Sequence, residues 1–188
     1  MSAESVVYAR DDLLPLTREQ YGLLVEAGTF EGQHVELLEG MLVRVPPQGP
    51  MHGEVVEALG NEAVGRLRDA FGRKYRARVQ LPIIAPDESE PEPDFAVVDG
   101  DLDRGTHPSY AHLVVEVTDS SAGKDLVRKP RVYSRAQIPV YWVVHVRRRE
   151  VAVHTRPTGD GYADVQWVAF DAPLDLVGLM VTMDELLA

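Results

Sequence analysis

Apolar positions recur along this chain in two rhythms, one of three to four residues and one of two. Tyr21, Leu24 and Val25 share one face of a short helix. Thr17-Arg18-Glu19-Gln20 just ahead of them fits a capping box, which predicts a helix from Arg18 to about Ala27, stopped by Gly28. The longest helical pattern covers about Gly53 to Phe71, through Val55, Val56, Leu59, Ala63, Leu67, Ala70 and Phe71. Gly60 and Gly65 weaken it, a cost that close packing against a sheet would offset. Strand rhythm governs Tyr75 to Ile84, with Tyr75, Ala77, Val79 and Leu81 on one face and Arg76, Arg78 and Gln80 on the other. Val35–Leu38 and Met41–Val45 flank Glu39-Gly40, an acid-Gly pair suited to a tight hairpin turn. Phe95–Val98 and Leu113–Val117 are continuous apolar runs of strand length, hence buried strands. A helix is predicted from Ala122 or Asp125 to Ala136, after the helix-starting Asp119-Ser120-Ser121. Val140–Val146 and Val151–Thr155 make a second hairpin across Arg147–Glu150, Val165–Phe170 adds a strand, and Met183–Leu187 closes as a short helix. Residues 1–14 carry no pattern and read as an arm. Pro46-Pro47-Gln48-Gly49-Pro50, Asp87–Glu92 and Asp99–Ala111 read as loops. This alternation implies an α/β or α+β fold with a mixed sheet.

Composition narrows the chemistry. A chain of 188 residues with 45% hydrophobic content suits one domain with a sizeable core. The absence of cysteine excludes disulfides, thiolate zinc sites and cysteine nucleophiles. His107, His112, His145 and His154 show no zinc-ligand spacing, and neither a phosphate-binding Gly-x-x-x-x-Gly-Lys loop nor a Gly-x-Ser-x-Gly elbow occurs. No apolar segment reaches membrane-spanning length, and Met1-Ser2-Ala3-Glu4 lacks the start of a signal peptide, so a cytoplasmic protein is expected.

Two acids stand out against this background. Asp94 follows a proline and opens the run Phe95–Val98, and Glu116 lies between Val115 and Val117. A carboxylate inside a buried strand is costly unless a cation meets it. Two such groups on neighbouring strands can converge on magnesium or manganese, which favour oxygen ligands and need only one or two carboxylates besides water. Read singly, each residue has a plainer alternative. Asp94 suits a strand start, Glu116 a wet edge or an arginine pair, and Lys129 an exposed helix face.

The order Pro93-Asp94, then Glu116-Val117, then Lys129 resembles the PD-(D/E)XK nuclease superfamily. More closely it resembles a large bacterial restriction-endonuclease family in which the lysine has moved onto the following helix. Matching motifs are Glu36-Leu37-Leu38-Glu39-Gly40, Pro46-Pro47 with His52, Lys129 with Tyr133, and Pro139-Val140-Tyr141-Trp142. The resemblance runs from about Thr17 to the C-terminus.

The resemblance implies a restriction-endonuclease-like sheet core flanked by helices. It divides residues 1–188 into the arm (1–14), an N-terminal helix and hairpin (15–51), a nuclease core (52–146) and C-terminal strands (147–188). It implies a metal-dependent endonuclease hydrolysing DNA phosphodiesters, often as a homodimer. Asp94, Glu116 and the Val117 carbonyl would bind Mg2+ or Mn2+, and Lys129 would stabilise charge on the reacting oxygens. Glu36, His52 and Tyr133 are accessory candidates. Thr118 occupies the usual lysine position, Lys124 rivals Lys129, Pro130 threatens the helix, and Asp119-Ser120 replaces the family's Ser-Pro. Together with a net charge of −11, which opposes DNA binding, these departures support a second reading, a nuclease-like binding or assembly module with a weak or dead site. The basic clusters that could compensate are Arg73, Lys74, Arg76 and Arg78, and Arg147-Arg148-Arg149. The second of these reads better as solvated turn charge.

Overall fold

This computed structural model describes residues 12–103, 105–119 and 125–188, with 125–127 as backbone alone. The expected arm at 1–14 lies largely outside these residues, as do Ser120, Ser121 and Lys124.

Helix α1 (Arg18–Glu26) starts at the capping box, with Thr17 and Gln20 each bonding the other's backbone N–H. Strands β1 (Val35–Leu38) and β2 (Met41–Arg44) form the expected hairpin, in which Leu38 faces Met41. Glu39 (φ 52°) and Gly40 (φ 76°) make its turn. The long helix begins three residues earlier than expected, because Pro50 takes its first position, where a missing N–H costs nothing. It runs as α2 (Pro50–Ala58), a π-helical turn (Leu59–Ala63) and α3 (Val64–Phe71). Gly60 lies over Val79 as expected, whereas Gly65 faces no neighbour.

Strand β3 (Tyr75–Val79) is shorter than its alternation predicts. Gln80 turns to a φ of 48°, ending the strand and leaving Leu81 exposed rather than on the buried face. β4 (Phe95–Asp99), β5 (Leu113–Thr118), α4 (Asp125–Arg135) and β6 (Val140–His145) follow as expected. A 3-10 turn (Val146–Arg148) leads to β7 (Glu150–Pro157) and then β8 (Tyr162–Ala169), which starts three residues before the predicted strand. A small hairpin, β9 (Leu174–Leu176) and β10 (Leu179–Val181), escaped the sequence reading. Helix α5 (Met183–Leu186) closes the described chain on a capping box from Thr182.

The main sheet has the order β3-β4-β5-β6-β7-β8. Every adjacent pair is antiparallel except β5 and β6, which α4 connects as a crossover. One face packs Val115, Val117, Trp142 and Val144 against Val55, Leu59, Ala63 and Leu67 of the long helix and against Leu176, Met183 and Leu186. The other face packs Ala96, Val98, Val114 and Val143 against Tyr133 of α4 and against Ile83. By the alternation of each strand, Asp94 and Glu116 point to this second face.

Candidate active site

Asp94, Glu116 and Lys129 come from three different elements and line one cleft of about 350 Å³. Each is buried, with exposures of 6%, 8% and 8%. Lys129 donates from Nζ to Glu116 Oε1 and to Glu36 Oε1, both at 2.9 Å. Tyr133, one helical turn further on, donates its hydroxyl to the same Glu116 oxygen at 2.5 Å. Pro130 sits inside α4 and removes one backbone hydrogen bond. The helix nevertheless starts at Asp125, so Lys129 and Tyr133 both turn onto the sheet. That geometry disposes of the solvent-facing alternative for the lysine. Glu36 is fixed in turn by the N–H of Glu92, which its Oε1 accepts at 3.1 Å.

Asp94 is held differently. Its Oδ2 accepts the Val117 N–H at 2.8 Å and His52 Nε2 at 3.1 Å. A carboxylate can only accept, so Nε2 carries the imidazole proton. Oδ1 meets the side-chain amides of Gln48 and Gln80 at 3.5 Å, at the edge of hydrogen-bond length. Those glutamines were missed by sequence reasoning. The positive φ of Gln80, which throws its side chain across to Asp94, has no signature in the residue string. Tyr141, part of the Pro-x-Tyr-Trp motif but given no role there, also lines the cleft, and its buried hydroxyl has no partner among the described residues.

Asp119 lines the cleft as well, with a buried Oδ1 that has no partner among the described residues. Its other oxygen lies 2.3 Å from where a Cβ at Gly49 would stand, so a side chain there would push the Asp119 carboxylate aside. Of the basic clusters, Arg78 is spent inside the fold on the Pro82 carbonyl and on His107. Arg76 donates to the Leu102 carbonyl. Arg147, Arg148 and Arg149 are exposed, as expected of a turn.

The electrostatics follow from putting acids in a dry place. Burial first of all pushes the Glu116 carboxyl up, to about 8; Asp94 and Glu36 add repulsion, while Lys129 and the Tyr133 hydrogen bond pull it down. For Lys129, burial disfavours the ammonium, but the charges and hydrogen bonds of Glu116 and Glu36 outweigh it and raise the pKa. The lysine therefore stays charged, and burial makes Glu116 easier to protonate than an exposed carboxylate. Burial raises Tyr133 and Tyr141 well above the ordinary phenol range, and Glu116 adds to both, so both remain protonated donors.

The donor set suits a hard cation. Glu116 commits Oε1 to Lys129 and Tyr133, and no donor among the described residues bonds Oε2. Asp94 keeps Oδ1 only lightly engaged. An acid whose ionised form is disfavoured by burial is the kind of group a divalent cation would relieve. No three His, Asp or Glu side chains among the described residues gather as a ready cage. Magnesium needs no such cage, since it retains waters and shares substrate phosphates.

Comparison with known proteins bears on this arrangement. Residues 18–183 match the family model Uma2, described as "Putative restriction endonuclease". The chain belongs to this family. Uma2 membership thus covers the chain from α1 to the start of α5, including every cleft residue named above. Among solved structures, the chain resembles a crystal structure described as a putative nuclease belonging to DUF820 from Anabaena variabilis ATCC 29413. The TM-score is 0.67 and the identity 17%, over 92% of this chain and 98% of that one. At that identity the likeness establishes a shared fold, and the fold is nuclease-like. No curated protein matches the chain. No helix among the described residues is long and apolar enough to cross a membrane.

Proposed function

We propose that this Uma2 cleft hydrolyses DNA phosphodiester bonds with the aid of Mg2+ or Mn2+. The observation that carries the reading is the position of Lys129. The usual lysine position holds Thr118, yet a lysine from another element reaches Glu116 at hydrogen-bond distance. A structural helix lysine has no reason to be buried between two acids, since such a triad gains little net stability over an apolar one.

Asp94, Glu116 and the backbone carbonyl of Val117 would hold the cation. When bound, it would lower the pKa of a coordinated water and offset charge on the phosphate. The remaining work falls to the chain. His52 and the Val117 N–H fix the rotamer of Asp94, leaving Oδ1 toward the cleft. Tyr133 and Lys129 fix Glu116. Lys129, permanently charged, is an electrostatic stabiliser for the phosphate oxygens rather than a base. Glu36 aims it, and the walls from β2 and the Pro46–Gly49 loop limit water. Cutting both strands of a duplex would call for two copies of the chain, and a cytoplasmic setting would suit the substrate.

A calorimetric titration of Mn2+ into wild type and Asp94→Ala tests this without guessing a DNA sequence. Saturable binding in wild type, lost in the variant, is expected. Equal binding in both would remove Asp94 from the site and the proposal with it.

A further inference from the structure

β8 is the outer strand of the main sheet, and residues 163–167 of it are exposed. Trp167 is 49% exposed, whereas Trp142 in the core is 1% exposed. The Trp167 ring lies 4.9 Å from that of His145, and the guanidinium of Arg148 stands 6.0 Å from the indole centroid. Further along, His154 is paired in register with Val165, itself 47% exposed, and its ring is 5.6 Å from that of Tyr162. Aromatic surfaces therefore recur along the outer two strands.

Burial, and then the charge of Arg148, hold His145 below the ordinary histidine range; burial, and then His145, lower His154 to about 4. Both rings are thus neutral at physiological pH, and the buried His145 ring backs the exposed Trp167 indole. Positive charge comes from the adjoining turn. Arg149 is paired with Asp184, but Arg147 and Arg148 are exposed and have no ion pair among the described residues. Glu150 on β7 stands opposite His145 in register. In a chain of net charge −11, an uncommitted arginine over a bare indole, with a second exposed arginine next to it in the chain, is out of character.

The strip lies on the same sheet face as the cleft. Glu116 is in register with Val143, Val143 with Ala152, and Ala152 with Trp167. Three strand spacings separate the two sites, about 14 Å. Val143 and Ala152 are buried, so the two sites are separate openings.

We propose that this strip binds single-stranded nucleic acid, with a base stacked on Trp167 and a neighbouring phosphate held by Arg148 and Arg147. The inference rests on the nuclease reading for the class of polymer. Stacking on an exposed indole needs no base pair and little sequence preference, and an adjacent arginine adds both phosphate attraction and a cation–π contact. A second copy paired along β8 fits the charges less well. Asp164, the one acid on β8, is already bound to Arg156, so a self-paired edge offers the free arginines no carboxylate.

The test is a titration of a short oligothymidylate into the full chain in metal-free buffer, read by tryptophan emission and by anisotropy of a labelled oligonucleotide. Trp142 is shielded, so quenching reports Trp167. Expected are quenching in wild type, affinity about tenfold weaker in Trp167→Ala and less so in Trp167→Phe. Arg148→Ala should lower the slope of log affinity against log salt by about 0.7. Unchanged emission on binding, unchanged affinity in Trp167→Ala, or no binding at all would overturn the proposal. So would an emission shift that follows protein concentration alone and a dimer lost in Trp167→Ala, which would give the strip to a second copy. Manganese binding to the cleft is measured separately, so a cleft that takes up metal beside a strip that ignores the oligonucleotide overturns this inference alone.

Discussion

Along β5, Leu113, Val115 and Val117 enter one layer and Val114 and Glu116 the other, so a single strand serves two different environments. The layer under the long helix holds the larger apolar cluster. The opposite layer has a smaller apolar patch and then, at the C-terminal end of β5, three buried acids and a lysine, with His52 reaching Asp94 from the first turn of the long helix. The first layer releases free energy on folding by removing apolar surface from water. The second requires charged groups to be desolvated and returns little of that cost. Stability and chemistry are thereby assigned to opposite sides of the same strands.

The largest expected effect is on the chemical side. Asp94→Ala or Glu116→Ala should abolish metal-dependent cleavage while thermal unfolding stays cooperative; retained cleavage in either would break the division. Lys129→Ala should keep manganese affinity but lose about a hundredfold or more in turnover, the scale of a missing electrostatic stabiliser. An equal loss from Lys124→Ala alone would move that role. On the apolar side, Leu113→Ala should cost about 3 kcal/mol in denaturant unfolding and leave manganese affinity intact.

A subtler effect is set by pH. Glu116 has a folded pKa raised from 4.5 to about 8. Its contribution to stability is present below pH 4.5 and fades as pH rises through about 8, because the folded state then binds more protons than the unfolded one. Metal-free protein should therefore melt lower at pH 9 than at pH 6. Glu116→Gln should flatten that difference, and saturating Mn2+ should offset it. Smallest of all, Tyr133→Phe should cost about 1 kcal/mol and move the pH midpoint upward, since its hydrogen bond favours the carboxylate.

Much of this division could be read in the residue string, for definable reasons. Continuous apolar runs announced β4 and β5 because strands buried on both faces cannot alternate. The capping boxes at Thr17 and Thr182 are local chemistry, although only the first was read as such. Motif order placed Asp94, Glu116 and Lys129 together, and the geometry sets them around one cleft, with Lys129 bonded to Glu116. What remained hidden depends on backbone angles or long-range register. β3 stops early through the left-handed turn at Gln80. The β9–β10 hairpin turns on Val177 at a φ of 50°, a conformation its side chain gives no reason to expect. Gln48 and Gln80 reach Asp94 only once three separate segments have met. The Trp167 strip needed the strand order, since nothing in the local pattern reveals which strand is outermost.

The crossover through α4 has a kinetic consequence. β5 and β6 form the one parallel pair of the main sheet, and a parallel pair cannot close through a tight turn. β6, β7 and β8 join the rest of the sheet only when the connection carrying Lys129 and Tyr133 has docked. Hydrogen exchange should thus find β6–β8 protected to the extent that α4 is seated. A chain in which α4 detaches would pull Lys129 away from Glu116 and release half of the main sheet in one opening event, so the cleft and the sheet would come apart together.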